Sequence, residues 1–143
     1  MPLLTFDDLV HRFATTAGGR RLNLGCGWDV RPGYVNVDVA ALPGVDVVIT
    51  PGEPLPFEDE SIDVVLAKDV IEHVDDLSAS LGDLHRILKP GGALLVSTVH
   101  FTSRDVYVDP THRRGFSIRT LDFFARLAEV DRSYYVPYAF STV

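Results

Sequence analysis

Two short stretches of the chain carry residue types that suit a nucleoside ligand. Gly25-Cys26-Gly27 follows an apolar run, and Asp38 ends a second apolar run eleven residues later. Glycines directly after a strand let the backbone approach a ligand closely, and a carboxylate offers two acceptor oxygens to ribose hydroxyls. The third glycine of a dinucleotide fingerprint is absent, because Val30 stands there. The pair predicts a nucleoside without a pyrophosphate; the alternative is a tight turn and a strand-end turn residue.

Histidine is the usual general base near neutral pH, and three of the five histidines fall where a base is expected. His73 follows the fourth apolar run, His100 ends the fifth, and His112 lies in the polar loop DPTHRRGFS. These three are the candidate catalytic bases. His11 and His85 lie within predicted helices, and we interpret them as structural or surface residues.

The same polar loop contains a candidate substrate-binding group. Asp109, Arg113 and Arg114 accompany His112, and arginine binds carboxylate or phosphate through two parallel hydrogen bonds. The alternative is a solvated loop whose charges pair among themselves. A metal cluster of His100, Asp109 and His112 rests on spacing alone, so no metal site is predicted.

Apolar runs alternate with helical patterns along the chain, which predicts an open, mostly parallel α/β sheet. In such sheets ligands bind at the carboxyl ends of the strands, so the glycine loop, Asp38 and the segment from Lys68 should share one rim. Thr5 is the predicted N-cap of the first helix, and Gly18-Gly19 its end. The predicted strands are 20–25, 34–39, 44–50, 62–67 and 93–99, the predicted helices are 5–16, 75–88 and 117–127, and a strand-like piece covers 133–140.

The connection between the first two predicted strands is unusually short. Residues 28–35 are too few to form a helix, and Pro32-Gly33 interrupts them. We therefore expect a coil at this crossover. One sheet face would then lack a covering helix. We expect Trp28 and Tyr34, or a second subunit, to cover that apolar surface.

Composition sets limits on the class of protein. The 143 residues, 46% of them hydrophobic, suit one domain over residues 1–143. A net charge of -7 argues against nucleic acid and anionic membrane as partners. The single cysteine allows no internal disulfide, and neither a membrane span nor a signal peptide is evident. We therefore expect a cytoplasmic protein.

Four motifs in order, LNLGCG, VNVDVA, PLPFEDESIDVVLAKDVIEHV and LHRILKPGGALLVS, resemble the class I S-adenosylmethionine-dependent methyltransferases. The likeness spans roughly residues 20–124 and is closest to the compact branch in which a short loop replaces the first crossover helix. It implies a three-layer Rossmann-like sheet with strand order 3-2-1-4-5-7-6. The few residues after Leu127 leave room for one strand or a cramped pair, so abbreviated C-terminal strands are expected.

The resemblance also implies roles for individual residues. The glycine loop would line the methionine and ribose part of the cofactor, Asp38 would bind the ribose hydroxyls, and Thr50 stands where the family commonly has an aspartate. Leu55 and Phe57 would pack under the adenine. The implied cofactor-binding residues are Gly25, Cys26, Gly27, Asp38, Val39, Thr50, Pro51, Gly52, Glu53, Lys68, Asp69, Val70 and His73.

The resemblance implies S-adenosylmethionine as cofactor and methyl transfer to an oxygen or nitrogen of a small molecule or sugar-type metabolite. The sulfonium of this cofactor is an activated methyl donor. Alignment of the acceptor atom, the methyl group and the sulfur therefore supplies much of the rate of transfer. Two alternatives remain open: an inactive protein of this fold with a binding or regulatory role, and a non-methylating enzyme on the same fold. We also expect a homodimer, since an abbreviated C-terminus leaves an unpaired sheet edge.

Overall fold

The computed structural model describes residues 4–13, 19–126 and 132–142. Its centre is a five-stranded parallel sheet in the order β3-β2-β1-β4-β5, which confirms the predicted α/β class and the first five positions of the expected strand order. The strands are β1 Arg21–Leu24, β2 Val35–Asp38, β3 Val47–Val48, β4 Ile62–Lys68 and β5 Leu88–Ser97. The helices are α1 Phe6–Phe13, α2 Leu77–Ile87 and the single turn α3 Asp105–Val108.

Successive residues of β4 face opposite sides of the sheet and so supply two apolar clusters. Val65 packs in the larger cluster with Leu81 and Leu84 of α2, whereas Val64 and Leu66 pack in the smaller one. The smaller cluster is covered by the predicted apolar stripe of α1, which consists of Phe6, Leu9, Val10 and Phe13. The domain is therefore three-layered, with one helix on each face of the sheet.

Local side-chain chemistry explains where both long helices begin. The Thr5 hydroxyl accepts a hydrogen bond from the Asp8 N–H at 3.1 Å, and the Asp8 carboxylate accepts one from the Thr5 N–H at 2.8 Å. This reciprocal pairing confirms Thr5 as the cap of α1. Asp76 caps α2 by accepting from the Ala79 N–H at 2.9 Å. A cap of this kind contributes about 1 kcal/mol.

The crossover between β1 and β2 contains no helix over residues 25–34, all of which the structure describes. Two buried asparagines hold this coil. The Asn23 amide donates to the Asp29 carbonyl at 2.7 Å and to the Asn36 side-chain oxygen at 3.0 Å. That same Asn36 oxygen accepts from the Arg31 N–H at 2.9 Å. Side-chain amides thus replace the backbone hydrogen bonds that a crossover helix would make.

Several boundary predictions were wrong in detail. The predicted helix 117–127 is a short 3-10 helix, Thr120–Phe124, and Leu127 lies outside the described residues. The piece 133–140 forms a turn and one isolated bridge, Ala125 to Phe140, instead of a strand. β5 begins at Leu88 and includes Lys-Pro-Gly-Gly, because Ile62 of β4 already pairs with Leu88.

Two further expectations from the sequence concern the aromatic residues of the first crossover and the end of the first helix. Tyr34 packs against the smaller cluster as expected, whereas Trp28 is 76% exposed. Ala14 to Gly18, in the predicted end of the first helix, lie outside the described residues. Among the residues that the structure does describe, no helix has the length and apolar character needed to cross a membrane.

Candidate functional site

The glycine loop after β1 adopts a backbone that other residues rarely take. Gly25 has φ +62° and Gly27 φ +50°, in the left-handed region that costs a side chain free energy. A Cβ placed on Gly25 would stand 2.4 Å from Val70 Cγ2, whereas one on Gly27 would meet no heavy atom within 4 Å. Gly25 is therefore required by packing against the segment after β4, and Gly27 borders open space in which a ligand can lie.

Asp38 ties the end of β2 to this loop. Its Oδ2 accepts from the Gly27 N–H at 2.8 Å, and its Oδ1 accepts from the Ala40 N–H at 2.9 Å. The Cys26 N–H donates to the Val37 carbonyl at 3.1 Å. Each carboxylate oxygen keeps a second lone pair. Asp38 is only partly buried, so these remaining sites can accept hydrogen bonds from a diol.

Cys26, between the two glycines, is buried. Removal from water, with the negative charge of Asp38 as the second cause, raises the pKa of this thiol. The thiol therefore stays neutral near pH 7 and acts as a small apolar group beneath the loop.

Other predicted cofactor-binding residues lie along the same rim, because it is formed by the carboxyl ends of parallel strands. Val39 directly follows β2 and is 55% exposed. The turn from Thr50 to Glu53, with Pro51 and Gly52 between them, follows β3 and is exposed, and the Glu53 N–H donates to the Thr50 carbonyl at 3.2 Å. These residues are exposed, so a ligand at this edge of the sheet can reach them.

The end of β4 is held in an unusual conformation. Lys68 pairs with Ser97 of β5, and the next residue, Asp69, has φ +54°. The Asp69 N–H donates to the Ser97 carbonyl at 2.8 Å. This turn points the chain from β4 toward the glycine loop, where Val70 contacts Gly25.

Two of the candidate bases lie together beside this turn. The rings of His73 and His112 meet edge to face with centroids 4.7 Å apart. Asp109 Oδ1 accepts from the Thr111 hydroxyl at 2.6 Å, and Thr111 Oγ1 lies 2.9 Å from His73 Nδ1. Asp109 Oδ2 lies 3.7 Å from His112 Nε2. Asp109 therefore contacts both histidines, directly or through Thr111.

Beneath the histidines lies Glu72, which is completely buried. Its Oε2 accepts from the Thr98 hydroxyl at 2.8 Å, while Oε1 has no hydrogen-bond partner. Sequence reasoning did not select Glu72, Thr98 or Thr111. The sequence signal that could have found Glu72 is an acidic residue next to a histidine shortly after a buried strand. Only the packing of the two loops shows that Glu72 lies near His112.

The two arginines of the polar loop contact the turn after β4. Arg114 donates to the Val74 and Asp75 carbonyls, each at 2.8 Å, and Arg113 Nε lies 2.8 Å from an Asp75 carboxylate oxygen. The Arg113 N–H also donates to the Glu72 carbonyl at 2.7 Å. These contacts fix the loop against residues 72–75, so both arginines bind groups outside their own loop.

His100 lies apart from the histidine pair and lines a cavity of about 390 Å³. Its Nδ1 is 2.8 Å from Thr102 Oγ1. The cavity lies between α1 and the carboxyl end of β5, and its wall is mostly apolar, with a few polar groups. The lining residues are Leu4, Phe6, Leu9, Val96, Ser97, Thr98, Val99, His100, Phe116, Ser117, Ile118 and Leu121.

Comparisons with known proteins agree with this geometry. A family model described as a methyltransferase domain matches residues 22–96, more than half of the chain. The chain belongs to the methyltransferase domain family. A probable S-adenosylmethionine-dependent methyltransferase of Mycolicibacterium smegmatis is 33% identical over 139 residues, covering 82% of this chain and 53% of that protein. The chain thus spans about half the length of this relative.

Two further methyltransferases are similar over different lengths. A ubiquinone biosynthesis O-methyltransferase of Bradyrhizobium is 51% identical over 41 residues, which is 29% of this chain and 16% of that protein. The crystal structure of a SAM-dependent methyltransferase from Thermotoga maritima, described as a possible histamine N-methyltransferase, aligns with a TM-score of 0.62. That match has 30% identity and covers 80% of this chain and 70% of the other.

Membership of the methyltransferase domain family implies S-adenosylmethionine as the cofactor, and the residues of the rim fit it. The open space beside Gly27 leaves room for the ligand, and Asp38 keeps acceptor sites for ribose hydroxyls. No side chain could replace Gly25 without displacing Val70. The sequence prediction of a nucleoside site without a pyrophosphate therefore agrees with the cofactor that the family implies.

Proposed function

We propose that this methyltransferase domain binds S-adenosylmethionine against the glycine loop and Asp38, and that it transfers the methyl group to an oxygen or nitrogen of a small molecule. The observation that supports the cofactor site best is the hydrogen bond from the Gly27 N–H to the Asp38 carboxylate. It holds the ends of β1 and β2 side by side with acceptor sites still free. Bound S-adenosylmethionine supplies an activated methyl group, so the protein's task is to bind, align and exclude water.

The cavity beside His100 is the proposed acceptor site. It lies on the rim, since Ser97 in its wall pairs with Lys68 at the end of β4. The mostly apolar wall suits a compact organic acceptor, and its few polar groups can orient it. His100 is the only histidine in this wall, and we propose it as the general base when the acceptor is a hydroxyl. His73 and His112 remain candidate bases beside the turn after β4.

Cofactor binding is the test of this proposal. Calorimetric titration of the wild-type domain with S-adenosylmethionine and S-adenosylhomocysteine should show one site. Gly25→Ala should abolish or strongly weaken that binding, because the added Cβ displaces Val70 and the loop loses its conformation. Gly91→Ala is the matched control, since Gly91 has φ +79° but no heavy atom within 4 Å of an added Cβ, and it lies early in β5, away from the rim.

The same titration separates the alternatives. Folded wild-type protein that binds neither ligand would contradict the proposal. Binding without transfer to any acceptor in a screen of hydroxyl and amine compounds would instead favour the inactive binding protein or the non-methylating enzyme.

We further propose that the domain works in the cytoplasm as a homodimer. The single cysteine, which leaves no pair for a disulfide, supports the location. Within the described ranges, β5 pairs with β4 on one side and with no strand on the other, and such an edge favours pairing with another chain. Sedimentation equilibrium should show a dimer at micromolar concentration, and a monomer at high concentration would contradict this.

A further inference from the structure

The structure assigns a divalent transition-metal site to Glu72, His73 and His112. Each of these side chains offers one donor atom, and the three donor atoms lie within 4.8 Å of one another. Two neutral imidazoles and one carboxylate are a ligand set that suits zinc or ferrous iron better than magnesium or calcium. The assignment needs only the apo chain and an ion, so it is independent of the proposed methyl transfer.

Two buried atoms without partners point to this cluster as a site. Glu72 is 0% exposed and its Oε1 has no hydrogen-bond partner, while the His112 side chain is 8% exposed and its Nδ1 has none either. An unpaired buried polar atom destabilises the folded chain, because it has lost its hydrogen bonds to water and gained none in the protein. A metal cation would satisfy both orphaned atoms at once.

The hydrogen bonds around the histidines set the rings for metal binding. The Thr111 hydroxyl donates its proton to Asp109 at 2.6 Å, so Thr111 Oγ1 can only accept from His73 Nδ1 at 2.9 Å. His73 Nδ1 therefore carries the proton of the neutral ring, and the free lone pair lies on Nε2. On the His112 ring, Nε2 lies 3.7 Å from Asp109 Oδ2. The other nitrogen, the unpartnered Nδ1, is therefore the one that would bind the metal ion.

A carboxylate that holds the outer nitrogen of a metal-binding histidine is a recurrent arrangement in metal sites. Here Asp109 is hydrogen-bonded to Thr111, which contacts His73 Nδ1, and it lies 3.7 Å from His112 Nε2, close enough for electrostatic attraction. The Arg113 N–H, which donates to the Glu72 carbonyl at 2.7 Å, fixes the two contributing loops together. Because donor atoms around zinc stand roughly 3–3.5 Å apart, donor atoms within 4.8 Å of one another need to close by at most about 1.3–1.8 Å.

Three protein ligands leave at least one coordination position open on a tetrahedral ion. A water molecule at that position would lose its proton more easily than a water molecule in bulk solvent.

The test is metal binding by untagged protein freed of metal with a chelator. Zn²⁺ titrated calorimetrically should bind at one equivalent and should raise the Tm, and Co²⁺ should give a visible spectrum typical of nitrogen and oxygen ligands. His112→Gln should lower Zn²⁺ affinity at least tenfold and abolish the Tm shift. His100→Gln is the matched control, since His100 is a rim histidine outside the cluster, and it should bind Zn²⁺ as the wild type does.

Two more variants refine the result. Glu72→Gln should weaken binding similarly while keeping the shape of the side chain, and Asp109→Asn should weaken it about 10–100-fold through the histidine rings. If Glu72→Gln does not fold, His112→Gln decides. Absence of stoichiometric binding by the wild type, or equal losses in His112→Gln and His100→Gln, would overturn the assignment. A parallel titration with S-adenosylhomocysteine tests the proposed function separately, because the metal titrations contain no cofactor.

Discussion

Asp38 illustrates how one side chain serves both the fold and the proposed site. Its two oxygens bind the N–H groups of Gly27 and Ala40, so the carboxylate shapes the loop before any ligand arrives. The backbone donors hold it at the position where a ribose is expected. A preformed acceptor of this kind reduces the ordering cost of binding.

We therefore expect Asp38→Asn to weaken S-adenosylhomocysteine binding roughly 10–100-fold, since a hydrogen bond to a charged group contributes about 1.5–3 kcal/mol. The amide keeps one acceptor oxygen but brings an NH₂ toward a backbone donor. Calorimetry measures the loss. Asp59→Asn is the control, because Asp59 is an exposed carboxylate that pairs with Arg86 at 2.8 Å. Equal affinity in Asp38→Asn and the wild type would show that the ribose lies elsewhere.

At the scale of elements, α2 holds the long connection between β3 and β4. Residues 49–61 of this connection, all of which the structure describes, contain no helix. Arg86 of α2 donates to the Phe57 carbonyl at 2.8 Å and to the Leu55 carbonyl at 3.0 Å. Asp83 of α2 accepts from the Leu55 N–H at 2.6 Å. Hydrogen bonds to the Asp59 and Asp83 carboxylates, with a smaller opposing effect of burial, raise the pKa of Arg86.

Replacement of this arginine should loosen that connection. Arg86→Met should lower the free energy of unfolding by about 1–3 kcal/mol, because the carbonyls of residues 55 and 57 lose their donor. Urea denaturation followed by circular dichroism measures this change. Arg104→Met is the matched control, since the Arg104 side chain is 91% exposed and lies 3.6 Å from its neighbour Asp105. Comparable losses in the two variants would contradict the role given to Arg86.

At the scale of the whole molecule, Asp63 connects three strands at the sheet edge opposite the site. Its Oδ2 accepts from the Arg20 N–H, just before β1, at 2.7 Å and from Lys89 of β5 at 2.9 Å. These contacts, the Lys89 hydrogen bond first, lower the pKa of Asp63. A carboxyl group whose folded pKa is lowered stabilises the protein above its unfolded pKa, about 3.9, and the benefit is lost as the pH falls through the folded value.

The difference in unfolding free energy between the wild type and Asp63→Asn should therefore be larger at pH 6 than at pH 3. Denaturant titrations at a series of pH values measure this difference. Asp105→Asn, which removes an exposed carboxylate from α3, should show little dependence of this kind. A difference for Asp63→Asn that is constant with pH would contradict the linkage.

The sequence by itself determined the layers and the rim. The nearly continuous apolar run 62–67 indicated a strand buried in a parallel sheet, and strand ends placed the glycine loop, Asp38 and Lys68 on one edge, because parallel strands share the direction of their carboxyl ends. The helix-free crossover was readable from its length and from Pro32-Gly33. These features depend on the types of residue and their spacing along the chain, which the sequence shows directly.

Only the tertiary structure decided which distant side chains meet. Residues 72 and 112 lie forty positions apart, and their contact depends on how the loop after β5 folds over the turn after β4. The fate of 117–127 was likewise decided by packing: a helical pattern became a short 3-10 helix, with Phe124 buried in the larger cluster. Propensity is worth a few tenths of a kcal/mol per residue, whereas burial of an aromatic side chain is worth about 1.5–3 kcal/mol, so tertiary contacts override the local preference.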